Sequence, residues 1–352
     1  MELSGLDLQK QDTGNSNKIC EIKIIVIVKY MNVAFLLKQY FQDKKEVSID
    51  VFDAHTLNDV YQQVLRTLTS HFEIEVSVLQ ALSYCFYEIL DNVHIHSGKP
   101  LGTAMTHFDS KEEVLRILVA DDGMGIRQSL AENEKYQNIT EAEAVKMCLE
   151  DSVTDGKGMG FGLYATSRLI KNIGLQFILH SGNHKLIYKD GNTEIVENGL
   201  WQGTIVYMEI RTSKEIDPND MVDHKTNAED QYNESFVETD VLESLWTTQT
   251  DYGKIFAFSH FGTDFGTREM GARIRQQLIT NLNEDVPITL DFTGVNVVSN
   301  SFADECIAKL LLEYTLSDLK KKIIFKGLNP LAERSILVAL QRRYIVLNDI
   351  KH

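Results

Sequence analysis

Glu88, Asn92 and His96 fall four residues apart in the stretch Glu88-Ile-Leu-Asp91-Asn92-Val-His94-Ile-His96. On a helix that spacing lines one face with a carboxylate, an amide and an imidazole. A carboxylate in such a place can take a proton from water or a hydroxyl within hydrogen-bond reach. A neutral amide oxygen is a hard ligand suited to Mg2+. Leu82, Phe86, Ile89 and Val93 mark a second, apolar stripe for a core. Taken alone, the polar stripe reads as a solvated helix face. Two glycine clusters further along the chain give it a chemical context.

The first cluster is Asp121-Asp122-Gly123-Met124-Gly125, which follows a β-rich run at 114–120. A strand there feeds a glycine turn, and Asp121 at the strand end is a hydrogen-bond acceptor. Gly123 and Gly125 permit a tight turn and a close approach of backbone to a ring. The second cluster, Gly156-Lys157-Gly158-Met159-Gly160-Phe161-Gly162, runs straight into a helical pattern beginning at Leu163. Free backbone N–H groups and the helix dipole at such a start meet phosphate charge, and Lys157 adds a point charge.

The surrounding elements have to position these groups. Residues 21–28 and 47–52 read as strands, 57–72 and 76–96 as helices, 141–151 and 163–173 as helices, and 175–180, 185–189 and 204–211 as strands. The alternation describes an α/β sandwich with helices on one face of a mixed sheet. Residues 1–17 read as a flexible tail, 18–211 as the first domain, 212–250 as an acidic linker with a break at Asp217-Pro218-Asn219-Asp220, and 251–352 as a smaller α/β domain. In the last, 253–259, 288–292 and 323–326 read as strands, and 267–281, 302–320 and 331–342 as helices.

A chain of 352 residues with 43% hydrophobic and 24% charged residues has room for two ordinary cores. A net charge of −16 opposes non-specific binding to nucleic acid or anionic lipid. The four cysteines, Cys20, Cys85, Cys148 and Cys306, show no CxxC spacing, so a cytoplasmic protein without a disulfide framework or zinc site is expected. The apolar run at 22–28 is too short to cross a bilayer.

Glu88-x-x-x-Asn92, Asp121-x-Gly123-x-Gly125 and Gly158-x-Gly160-x-Gly162-Leu163, in that order, resemble the GHKL superfamily of gyrase, heat-shock chaperone, histidine kinase and MutL-type ATPases. Gly203-Thr204 ahead of an apolar strand resembles the last box of that family, and the likeness spans about residues 22–211. The resemblance implies ATP and Mg2+ as ligands, Glu88 as general base, and Asn92 as the metal ligand. It further implies Asp121 as acceptor from the adenine amino group, His96, Lys157, Gly158, Gly160, Gly162, Leu163 and Thr204 around the nucleotide, and residues 126–157 as a closing lid. His94 reads as structural and Asp91 as a supporting partner.

The stretch from Thr289 to Asp304 resembles STAS domains, especially the STAS-like variant attached to GHKL proteins, over about residues 251–351. In regulatory STAS domains a serine at this helix start is phosphorylated, and Ser301 holds the matching place. Asp304 and Glu305 would repel a phosphate there, and the plain reading of Ser301 is an N-cap. The expected function is a nucleotide-driven ATPase switch controlling the STAS-like domain, with a protein partner engaged through that domain and a homodimer left open. The alternatives are a serine/threonine kinase acting on Ser301 or on a partner, and a non-catalytic nucleotide sensor.

Overall fold

A computed structural model describes residues 33–151, 153–156, 160–221, 253–284 and 286–349. The tail at 1–17, the strand expected at 21–28, Lys157, Gly158 and most of the expected linker lie outside them. In chain order the first part carries α1 (Val33–Tyr40), β1 (Ser48–Phe52), α2 (Leu57–His71), α3 (Val76–His96), β2 (Gly102–Asp109), β3 (Val114–Ala120), α4 (Ile126–Leu130), α5 (Glu141–Met147), α6 (Gly162–Ile173), β4 (Gly174–Lys189) and β5 (Asn192–Arg211). The second part carries β6 (Lys254–Ala257), β7 (Asp264–Phe265), α7 (Arg268–Leu282), β8 (Ile288–Asp291), β9 (Val297–Val298), α8 (Asn300–Cys306), α9 (Leu316–Lys322), β10 (Ile323–Lys326) and α10 (Pro330–Asp349).

The chain divides into two compact units, one drawn from residues 1–73, 89–146 and 174–213, the other from 74–88, 147–173 and 214–352. In the first, five strands form a sheet in the order β1-β2-β3-β5-β4, antiparallel throughout. The central strand β3, Val-Leu-Arg-Ile-Leu-Val-Ala, is buried along its whole length, which is why it lacks the alternation of a half-exposed strand. The hairpin β4–β5 closes on the two residues Asp190 and Gly191, both with φ near the left-handed region that such a turn demands. Its outer half, 192–200, is largely exposed and polar, so the sequence reading missed it.

The α3 bounds agree with the sequence reading, and every residue from 81 to 90 is buried. A helix buried all round belongs to an interior, not to a surface face. This overturns the solvated reading of the stripe at Glu88.

The second unit is parallel where the first is antiparallel: β10-β8-β6 form one sheet, and β7 pairs with β9. Its core is aromatic, with Phe258 stacked on Phe292 at 3.9 Å and Phe265 and Phe302 packed beside them. The helix expected over 302–320 is broken into α8, a 3-10 turn at Ala308–Leu312, and α9. Thr315 and Asp318 form a reciprocal capping box that starts α9 afresh. Pro330 opens α10, and the side chain of Asn329 accepts from the Ala332 N–H at 2.9 Å. The molecule is thus of the α/β class. Among the described residues no helix is long and apolar enough to cross a membrane, and Cys85, Cys148 and Cys306 are buried and in no disulfide.

Candidate functional site

In the first unit the turn after β3 gathers Asp121, Gly123, Gly125, Gly203 and Thr204. Asp121 is 5% exposed, and its Oδ1 accepts from the Gly123 N–H at 2.8 Å. Its backbone N–H donates to the Thr204 carbonyl at 2.9 Å, and its carbonyl accepts from Trp201 Nε1 at 3.0 Å. Burial pushes the Asp121 carboxyl up to about 6, against the lowering effect of the Gly123 and Thr204 N–H groups.

Two of the glycines are steric requirements. A Cβ on Gly123 would sit 2.2 Å from the Ser97 carbonyl oxygen, and one on Gly203, whose φ is 98°, would sit 2.3 Å from the Asp121 carbonyl oxygen. Ser181 ties the turn together, donating from Oγ to the Gly203 carbonyl and accepting from the Ile126 N–H, each at 2.9 Å. Asn92 and His96 are half-buried on α3, and His94 is exposed. Sequence reasoning missed Ser97, Ser181 and Trp201. Nothing in the sequence around Ser181 and Trp201 marks them, because they reach the turn after β3 only through strand pairing.

Glu88 belongs to the second unit. It is 7% exposed, and both its carboxylate oxygens are occupied: Oε1 accepts from the backbone N–H of Asn300 and Oε2 from Nδ2 of Asn300, each at 3.2 Å. The same Nδ2 donates to Tyr84 Oη at 3.0 Å. Gly162, the first residue of α6, closes another side, where a Cβ would lie 2.7 Å from Oε2. Gly160 adopts φ 70° against Val153, and Leu163 is half-buried in the first turn of α6. The loop ahead of these glycines is held by α10: Arg334 pairs with Asp151 at 2.9 Å and lies over the Phe161 ring, and Arg342 donates to the Gly156 carbonyl at 2.5 Å.

Ser301 is buried in the first turn of α8, but the N-cap is Ser299. Its Oγ accepts from the Phe302 N–H at 3.0 Å and donates to the Gly266 carbonyl at 2.6 Å. The cap expected at Ser301 is therefore two residues earlier. Asp304 and Glu305 are not an uncompensated negative patch either: Asp304 pairs with Arg268 and Arg343, and Glu305 with Arg275 and Lys309.

Among curated proteins no match is found. A family model, that of a STAS-like domain of unknown function (DUF4325), matches residues 270–332, from within α7 to the start of α10, so the C-terminal part of the chain carries a STAS-like domain.

Proposed function

We propose that the chain binds ATP with Mg2+ and acts as a slow ATPase switch on its STAS-like domain. One observation carries this reading: Asp121 is a buried carboxylate in a turn where Gly123 and Gly203 each leave no room for a side chain. A buried carboxylate is costly to maintain unless it is paired. A carboxylate has about four acceptor positions, so Asp121 retains capacity for a donor beyond the Gly123 N–H. The adenine amino group is such a donor, whereas guanine presents a carbonyl at the corresponding place.

The donor set suits a magnesium nucleotide. Among the described residues no group of three or more His, Cys, Asp or Glu could hold a metal ion. Mg2+ held mainly by phosphate and water needs only one or two protein ligands, and the half-buried Asn92 amide supplies one. Bound Mg2+ would neutralise phosphate charge. Gly158, Gly160, Gly162 and Lys157 receive the phosphates in this reading, with Leu163, Thr204 and His96 as further contacts and residues 126–157 as the lid. Glu88 removes the proton from the attacking water. A protein partner is engaged through the STAS-like domain.

Calorimetric titration with ATP and GTP tests the claim. ATP is expected to bind at least tenfold more tightly than GTP, with that preference lost in Asp121→Asn. No ATP binding, or equal binding by the variant, sinks it. Phosphate release is expected to fall at least a hundredfold in Glu88→Gln.

The serine-kinase reading is favoured by one contact: the residue whose backbone N–H reaches Glu88 is the immediate neighbour of Ser301. Incubation with γ-labelled ATP distinguishes it, since label on the protein that disappears in Ser301→Ala makes the acceptor a serine and not water.

A further inference from the structure

We propose that Asn300 is a latch that holds Glu88 out of use until the STAS-like helix α8 moves away. This rests on the ATPase reading above and gives its switch a physical part.

A general base must bring a carboxylate oxygen within about 2.6–3.2 Å of the proton it takes, with room beside that oxygen for the water that carries it. Around Glu88 that room is taken by Asn300 and Gly162. Its two oxygens each accept an N–H from Asn300, a residue 212 positions away in sequence, and Gly162 walls the Oε2 side. The residue before Asn300 is fixed as well, since Ser299 Oγ is bonded to both Gly266 and Phe302. Gly266 in turn lies so close to α3 that a Cβ would stand 2.0 Å from the Tyr87 ring. Tyr84, Tyr87 and Glu88 lie at i, i+3 and i+4 on one face of α3, so the start of α8 is seated on that face by backbone and side chain together.

The seat is built to open. Both bonds to Glu88 are at the long end of the N–H···O range. Asn300 Oδ1 is buried without a hydrogen-bond partner, although its residue is only 7% exposed. A buried acceptor without a donor destabilises the closed arrangement and regains its bond when exposed to water. Departure of Asn300 would therefore free the Glu88 carboxylate and satisfy the Asn300 amide in the same movement. The STAS-like domain is in this way coupled to turnover: a partner that draws α8 away accelerates hydrolysis.

The test uses the full chain, with ATP as the probe and three readings: phosphate release at saturating ATP, ATP affinity, and amide hydrogen exchange over residues 299–306. Asn300→Asp sets a second carboxylate against Glu88. Exchange there is expected to rise at least tenfold and phosphate release at least fivefold, with ATP affinity changed less than threefold. Asn300→Ala, which keeps the backbone N–H and removes the orphaned oxygen, guards against a folding defect in the charged variant. Its phosphate release is expected to rise two- to fivefold with an unchanged circular dichroism spectrum. A fall or no change in release by Asn300→Ala overturns the latch and makes Asn300 a positioning residue for Glu88. Should the wild-type chain bind no ATP, the ATPase reading fails by itself, and unchanged exchange over 299–306 in Asn300→Asp then overturns the latch.

Discussion

Asp121 and Glu88 are buried to nearly the same degree, 5% and 7% exposed, and are held in opposite ways. Asp121 is bonded through its side chain to a residue two positions on, in a turn that glycines keep open. Glu88 is bonded to a residue of its own unit that lies 212 positions away in sequence, through a contact no local rule anticipates. Local chemistry holds one carboxylate within a single turn. Long-range packing holds the other through the backbone and side-chain N–H groups of one distant residue. The difference teaches that equal burial can be reached by a turn of a few residues or by a contact that spans most of the chain.

The comparison breaks first if the glycine turn tolerates a side chain. Gly203→Ala forces a Cβ to 2.3 Å from a backbone oxygen at φ 98°, combining overpacking with left-handed strain. A loss of about 3–5 kcal/mol is expected. Gly199→Ala, where a Cβ meets nothing within 4 Å, should change stability by less than about 0.5 kcal/mol. Urea unfolding of both variants checks this, and equal midpoints would show that the turn around Asp121 is not the constrained element described.

The other half of the comparison is sharpened by Ser299→Ala. It removes the cap of α8 and strands the Gly266 carbonyl, for an expected loss of about 2 kcal/mol. Since this variant leaves Asn300 in place but unpins it, hydrogen exchange over 299–306 should rise while the turn at Asp121 keeps its protection. Equal loosening at both places would mean that the two carboxylates are not independently supported.

Much of the local frame was legible. The bounds of α3, β3 and β10 agree with the sequence reading because each combines a clear periodicity or β-rich run with breakers at its ends. Strand β2 was not legible: Gly-Thr-Ala-Met-Thr-His is weakly apolar and becomes a strand through pairing on both sides. The single helix read over 302–320 ignored Thr315-x-x-Asp318, a start signal that was present in the sequence. At the site, Asp121, Gly123 and Gly125 stood out as a short local pattern, although the packing that leaves the two glycines no room for a side chain comes from Ser97 and Ser181, far away in sequence. Tyr84 and Asn300 were not, because an asparagine after a strand carries no sign of what lies 212 residues away.

The pH dependence bears directly on Asp121 as a proposed ligand group. Burial raises its pKa from 3.8 to about 6, so between those values the folded chain holds a proton that the unfolded chain has released. Its stabilising contribution is complete below pH 3.8 and is lost as pH rises through 6, a change of at most about 3 kcal/mol. Ligand binding runs the other way, because accepting from an adenine amino group needs the carboxylate. Adenosine, which carries no phosphate to titrate, should bind with a plateau above about pH 7 and roughly tenfold more weakly at pH 5. Asp121→Asn should remove that slope while leaving the acid–base behaviour of the rest of the chain unchanged. An affinity that is flat from pH 5 to pH 8 in the wild-type chain would detach Asp121 from the ligand and leave its raised pKa as a consequence of burial alone.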